Sequence, residues 1–426
     1  MEKEAKEQKG SSWLLIFLCW LVYASSYIGK VNYSANIPQV MDHYNVSHSQ
    51  AGMVSTFFFF AYGAGQVVNG IFCRKYNIKW VVFGSMLASG AMNLIVALTN
   101  DFAIIKWLWL LNGFVMSALW PTLVRLFAEA LPKKDLSKSS IVIGTTVASG
   151  TLIIYGLSAV YAIFHKFKLA FYTAGIVVPI VAVVWLFLYK KAVGIAKHIK
   201  EEEGQVCDER KIVEVKTQTA GQKKHLYMTI AILCFCAVGC NLIKDGLVTW
   251  VPSILKEEYG MNDSISILLT LCLPILSIFG NLFALSVHKK FPDYIHHATA
   301  IYFVSGGFIC LLIGCLSWKT LVLTVIGFAV VSFIISSMNS LITSIFPIFM
   351  RGKVNSGLFA GILNGFCYLG STISSYGLGV IAETFSWAAV FWTLFGVCVI
   401  ACVLWCVYVL LKKRFLNQEK TQKIGK

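Results

Sequence analysis

The sequence predicts an all-α membrane protein of twelve transmembrane helices, arranged as two six-helix bundles. Three observations predict it. Of the 426 residues, 57% are hydrophobic and only 13% are charged, giving a mean hydropathy of +0.72. Apolar runs of about twenty residues recur along the whole chain, each long enough to cross a hydrocarbon core of about 30 Å. A charged, weakly apolar stretch at 190–224 divides these runs into two groups. Backbone groups in lipid must satisfy one another, so the runs are helices and not open strands.

The runs lie near 13–35, 50–72, 80–98, 102–127, 139–163, 170–189, 225–251, 264–287, 297–317, 320–346, 355–381 and 386–411. Residues 1–189 are expected to form the N-terminal bundle, 190–224 a cytoplasmic linker, and 225–426 the C-terminal bundle with its tail. The first run is too long for a cleavable signal peptide and lacks a small-residue cleavage site.

Span 1 places Tyr23, Tyr27, Lys30 and Ser34 on one helical face, at spacings of four, three and four. Span 2 does the same with Tyr62 and Gln66, and span 4 with Asn112, Met116 and Trp120. Arg125 and Glu129, four apart at the end of span 4, suit a structural pair or an inner gate. Span 7 carries Lys244 and Asp245. Polar stripes follow on span 10 (Ser332, Ser336, Asn339, Thr343) and span 11 (Asn364, Tyr368, Ser371). Such stripes also serve as interhelical hydrogen bonds, typically worth about 1 kcal/mol or less.

Lys30 and Lys244 carry the functional argument. A charge near mid-bilayer costs roughly 2.5–3.5 kcal/mol on insertion scales, so it ordinarily lines a watery path or grips a ligand. The alternative for each is snorkelling to an interface. A proline follows each lysine by eight residues, and Lys30 to Lys244 and Pro38 to Pro252 share one offset of 214 residues. Two matched pairs favour an ancestral duplication, a transporter plan in which the site lies at the midplane. Tyrosine hydroxyls beside a lysine suit an oxyanion. Asp245 is adjacent to Lys244 in sequence and so does not face it on a helix. It could pair elsewhere, bond a substrate hydroxyl or carry a proton.

The net charge of +16 is no nucleic-acid footprint. With the N-terminus cytoplasmic, the cytoplasmic connections hold Arg74, Lys75, Lys79, Lys133, Lys134, Lys138, Lys289, Lys290, Arg351 and Lys353. The other face has Lys106, Lys166, Lys168, Lys256 and Lys319. This positive-inside asymmetry predicts a multi-pass protein of the cell (inner) membrane with both termini cytoplasmic. Most of the 13 cysteines fall in apolar spans as small hydrophobes, and Cys234 and Cys236 have no histidines at metal spacing. No cofactor, metal or disulfide framework is expected. The eight histidines sit in loops or at span ends, where none serves a mid-membrane proton relay.

These residues resemble a known family, the organophosphate:phosphate antiporters of the major facilitator superfamily, which include glycerol-3-phosphate and hexose-phosphate transporters. In span 1, Tyr27, Lys30, Asn32, Tyr33 and Pro38 fall where the family has tyrosine, arginine, asparagine, an aromatic and proline. Ala61-Tyr62-Gly63, Trp120-Pro121, and Lys244, Gly246, Trp250 and Pro252 match further motifs, as does Tyr368-Leu369-Gly370. The resemblance implies that Gln66 stands in place of a family lysine and Thr146 in place of a family histidine. Both signature arginines are lysines here. Lysine is a compact point charge without the bidentate fork that matches phosphate, so only the substrate class carries over.

The expected function is alternating-access transport of a small organic anion, a phosphorylated metabolite exchanged for inorganic phosphate. Lys30 and Lys244 would hold the anion, with Tyr27, Tyr62 and Asn32 donating hydrogen bonds. The lipid bilayer is the expected surroundings and a monomer the expected state. A proton-coupled symporter of a carboxylate, sugar acid or sulfonate through Asp245 is the alternative, and a membrane substrate sensor a remoter one. No nucleophile with a base suggests an enzyme.

Overall fold

The computed structural model describes residues 11–72, 75–202, 220–290, 295–316, 320–346 and 356–424. Arg74, Lys319, Arg351, Lys353 and residues 203–219 of the expected linker lie outside these segments. The regular elements among the described residues are helices. In the first half they are α1 (Ser11–Ala35), α2 (Ile37–Tyr44), α3 (His48–Phe72), α4 (Ile78–Leu98), α5 (Phe102–Met116), α6 (Leu119–Ala130), α7 (Lys133–Gly144), α8 (Thr146–Ile163) and α9 (Lys168–Glu202). There follow α10 (Ala220–Tyr259), α11 (Asp263–Thr270), α12 (Cys272–Lys290), α13 (Ile295–Leu316), α14 (Leu321–Ser340), α15 (Ser356–Thr384) and α16 (Trp387–Ile424). A short π-helical turn, Leu341–Ile345, extends α14.

Among the described residues, 11 helical spans are long and apolar enough to cross a membrane. The helix α15, 29 residues long, occupies the place of the remaining predicted span, consistent with twelve. Several spans are broken rather than continuous. Span 1 stops at Ala35 and resumes at Ile37, because Asn36 leaves the helical region (φ −111°, ψ 12°) and Pro38 enters the first turn of α2. Proline lacks the N–H that an unbroken helix would need there. Span 4 divides into α5 and α6 just before Pro121, and span 8 into α11 and α12 just before Pro274. Three helix starts in the connections are capped by side chains of the favoured types. Asn77 accepts from the Lys79 N–H, Asp101 from Ala103 and Asn262 from Ile265.

Packing gathers the chain into two compact units. The first comprises Met1–Ile212 with Val248–Ile275, and the second Val213–Leu247 with Leu276–Lys426. The six-plus-six division of the chain stays a proposal drawn from the sequence.

In the first unit, α1 packs against α8 and α9, α3 against α5, and α4 against α9. Its core joins Leu15, Cys19, Tyr23, Tyr27 and Val31 of α1 to Leu119 and Leu123 of α6, Ile154 and Tyr155 of α8, and Ile267 of α11. Tyr155 donates to the Val248 carbonyl at 3.0 Å. At the far end of α10, Lys256 contacts Asp42 and lies 2.8 Å from Asp263, while Glu257 pairs with His48 at 2.8 Å. These ion pairs and the apolar contact of Ile267 account for Val248–Ile275 lying with the first unit. In the second unit, α13 packs against α14 and α16. Many large apolar side chains, such as Phe17, Ile71 and Phe187, face outward, as lipid-facing surfaces do.

Two close approaches fix the helices around Lys30. A Cβ at Gly113 on α5 would lie 2.3 Å from the Phe58 carbonyl oxygen on α3. One at Gly150 on α8 would lie 2.2 Å from the Ala24 carbonyl oxygen and 2.7 Å from the Tyr27 Cβ. Overpacking of this kind costs about 1–3 kcal/mol. Gly84 on α4, in contrast, has nothing within 4 Å of such a Cβ. Gly113→Ala should therefore lower the unfolding temperature of the detergent-purified protein. Gly84→Ala should leave it unchanged or raise it, because alanine favours the helix by up to about 1 kcal/mol. Equal melting of the two variants would contradict the close contact.

Candidate functional site

The helical face predicted on span 1 is turned inward: Tyr23, Tyr27, Lys30 and Ser34 are all buried. Lys30 is only 9% exposed. Its ammonium is ringed by aromatic faces, with Nζ 4.4 Å from the centroid of Tyr62, 4.9 Å from Tyr27, 5.6 Å from Phe58 and 5.8 Å from Phe59. A desolvated cation over an aromatic face gains about 2 kcal/mol or more, against 0.5–1 at exposed sites. The two tyrosines were expected to offer hydroxyls. In the structure they offer their ring faces to the ammonium as well.

The cage extends along both helices. Tyr27 meets Tyr23 edge-on at 5.6 Å, and Tyr23 lies 5.1 Å from Trp120 of α6. Phe58 stacks on Tyr62 at 5.8 Å. Gln66, one turn further along α3, is buried on the same face. The structure thus brings Tyr23, Tyr27, Lys30, Tyr62 and Trp120 together, from three helices. Phe58 and Phe59 were missed in the sequence because Phe57–Phe60 reads as one apolar run. The signal was there: they precede Tyr62 by four and three residues, which places them on its face. Phe60, which does not share that face, is 61% exposed.

A second group of polar residues lies on the other side of α1. Asn32 donates to Asn93 Oδ1 of α4 at 2.7 Å. Asn93 donates in turn to the carbonyls of Ser89, at 2.9 Å, and Gly29, at 3.3 Å. Asn112 of α5 also donates to the Gly29 carbonyl, at 3.0 Å. Asn36 donates to the Asn32 carbonyl at 2.8 Å and to Ser158 of α8 at 3.0 Å. All four asparagines are fully buried. Asn32, expected to donate to the substrate, directs its amide to Asn93 in this structure. Asn93 is not among the residues expected from the sequence, although an asparagine in the third apolar run is a visible anomaly.

Thr146 is buried at the start of α8, where its hydroxyl donates to the Ile143 carbonyl of the preceding turn. The neighbouring Thr145 accepts from the Trp20 indole at 2.9 Å. Arg125 pairs with Glu129 through Nε and donates to the Tyr76 carbonyl at 2.9 Å. That anchors α6 to the connection before α4.

In the second unit, Lys244 and Asp245 are half-buried on α10. Ser371 of α15 donates to the Asp245 carboxylate. Asn241, one turn before Asp245, donates to Asn339 of α14 at 3.1 Å. Asn364 and Tyr368 are half-buried on α15, the helix that carries Ser371. The polar stripes of spans 10 and 11 therefore meet α10 at the level of the Lys244–Asp245 pair. The cysteines among the described residues are free, and no group of His, Cys, Asp and Glu among them could hold a metal.

The chain belongs to the major facilitator superfamily, whose family model matches residues 19–360. It is a membrane transporter and not an enzyme. The membrane sensor protein UhpC of Escherichia coli is 20% identical over 88% of this chain and 87% of its own length. A probable hexose phosphate transport protein of Chlamydia trachomatis is 20% identical over 92% and 89%. The hexuronate transporter of Bacillus subtilis is 23% identical over 67% and 65%. Among solved structures, a bacterial homologue of the human lysosomal transporter Spinster shares the fold. Its TM-score is 0.73 at 12% identity, covering 96% of this chain and 98% of that one.

Replacing Asn93 with alanine leaves the buried Asn32 amide and the Gly29 carbonyl each short of a partner. An orphaned buried polar group costs about 1–3 kcal/mol. Asn93→Ala should thus melt measurably below the parent protein in a thermal-shift assay. An unchanged melting temperature would mean that the four asparagines do not act as one buried network.

Proposed function

We propose that this transporter carries a small organic anion, a phosphorylated metabolite, and exchanges it for inorganic phosphate by alternating access. The observation that carries the reading is the buried, aromatic-ringed ammonium of Lys30. A charge buried in a membrane span ordinarily lines a watery path or grips a ligand. Lys244, at the matched place in the sequence, supplies the second charge. The Chlamydia relative, named for hexose phosphate, supports the phosphorylated class. Tyr27 and Tyr62 hold their rings to Lys30 and can donate their hydroxyls to the anion. Tyr23, Gln66 and Trp120 line the same face, and Asn364 and Tyr368 supply polar groups beside Lys244 and Asp245. The bias of basic residues supports cytoplasmic termini.

The test is purified protein in liposomes preloaded with inorganic phosphate. Phosphate self-exchange should be measurable, and external hexose 6-phosphate should compete with it more strongly than a hexuronate does. Lys30→Ala and Lys244→Ala should each reduce exchange at least a hundredfold while the folded protein still accumulates. Normal exchange by both variants would end the two-lysine reading.

A second reading is proton-coupled uptake of a sugar acid. It is favoured by the Ser371–Asp245 hydrogen bond and by the relative named for hexuronate. In that case Asp245→Asn should abolish uphill hexuronate uptake driven by an imposed pH gradient and spare exchange. If Asp245→Asn still concentrates hexuronate, Asp245 is not the proton carrier.

A further inference from the structure

The lipid-facing surface of the first unit ends in lysines where α4 and α9 meet. The two helices run antiparallel. Lys168, at the start of α9, donates to the Thr99 carbonyl just past the end of α4, at 3.0 Å. The Trp185 indole, further along α9, donates to the Lys79 carbonyl in the first turn of α4, also at 3.0 Å. Between these points the helices interlock. A Cβ at Gly90 would lie 2.2 Å from the Pro179 ring, and one at Gly175 would lie 2.5 Å from Leu94.

The outward face of α9 runs Ile176, Ile180, Val183 and Phe187, all exposed, Phe187 to 76%. On α4 the exposed face ends at Trp80, which is 55% exposed. Beyond both, the surface turns basic. Lys190 and Lys191 are exposed and follow Trp185 by five and six residues. They stand about 7.5–9 Å past the level of Lys79 along the helix axis. The Lys79 ammonium lies 5.4 Å from the Trp80 ring and that of Lys75 lies 5.7 Å from Phe72. Each therefore lays its stem on apolar surface and carries its charge to the edge of it. Glu129 is paired with Arg125, and Glu201 lies ten residues past Lys191, about 15 Å along the helix. These acids leave the corner positive. Lys168 and Lys200 differ from the exposed lysines, because they direct their ammonium groups to backbone carbonyls.

We propose that this corner binds an anionic phospholipid. Its acyl chains would lie along Trp80 and Phe187, and its phosphate among Lys79, Lys190 and Lys191. The occupant is a lipid and not a dissolved phosphate because exposed apolar side chains adjoin the charges on both helices. It is anionic because a zwitterionic headgroup would bring a second cation to a corner that is already basic. Each lysine near the membrane surface strengthens the hold on an anionic lipid about fivefold. The site is separate from the Lys30 face, so it stands whatever solute the protein carries.

The experiment is native mass spectrometry of the full-length protein in detergent with an equimolar mixture of phosphatidylglycerol and phosphatidylcholine of identical acyl chains. The ratio of the two adducts is read within one preparation, so differences in yield cancel. The wild-type protein should carry phosphatidylglycerol in preference by about tenfold or more. Lys190→Gln combined with Lys191→Gln should bring the ratio close to parity. Lys106→Gln should leave it unchanged, although Lys106 also lies beside a tryptophan, 5.8 Å from the Trp107 ring. Excess inorganic phosphate should leave the lipid in place.

Equal adducts on the wild-type protein would overturn the proposal, since the lysines would then only be snorkelling. An undiminished preference in the double variant overturns it too. So does an equal loss in Lys106→Gln, which would reduce the effect to overall charge. Displacement by inorganic phosphate would make the corner a simple anion site and end the lipid assignment. If the double variant does not accumulate, Lys190→Gln alone decides, with an expected fall of about fivefold.

Discussion

The free energy of an ammonium group out of water governs the first unit. Lys30 lies about one and a half helical turns before the point where span 1 breaks, deep in a run of otherwise apolar and uncharged residues. Hydrocarbon alone would not tolerate it. The surroundings provide two tyrosine and two phenylalanine faces within 6 Å. Those rings are set by two close approaches, of α5 to α3 and of α8 to α1. Two glycines permit that, Gly113 against Phe58 and Gly150 against Tyr27. The small residues, the rings and the lysine form one arrangement, in which each part would be pointless without the others.

Much of this was legible in the sequence, for reasons of periodicity. A helix repeats its face every three to four residues, so Tyr23, Tyr27, Lys30 and Ser34 had to point one way. The buried lysine then had to point that face inward. Tyr62 and Gln66 followed by the same rule on α3. Periodicity does not give the rotation of one helix relative to the next. It therefore could not say that Phe58 and Phe59 belong with Lys30 while Phe60 faces outward. Nor could it say that Asn32, two residues from Lys30 and so on another face, would reach Asn93 of α4. An anion would draw on the tyrosine hydroxyls. Without the anion, the nearest charge is the lysine, and the rings turn to that.

The two units answer the same problem differently. Around Lys30 aromatic rings gather. Near Lys244 a carboxylate is at hand, and Ser371 holds Asp245 by a hydrogen bond. The matched prolines and lysines favour descent from one repeat, but the neighbours of the lysines differ. Such divergence is expected in a family whose relatives at about 20% identity bear names as different as sensor, hexose phosphate carrier and hexuronate carrier.

The four asparagines behind Lys30 have one more consequence. Their partners are backbone carbonyls, a serine hydroxyl and one another. The carboxamide neither gains nor loses a proton across the range in which proteins fold. A scaffold built from aspartate and histidine could have bound the same helices, but it would loosen as the surroundings acidify. This one keeps the lysine's perch in the same shape whether the compartment it faces is acid or alkaline. A cell whose two membrane faces differ in acidity can therefore run the protein through its cycle without distorting the anchor of its own first helix.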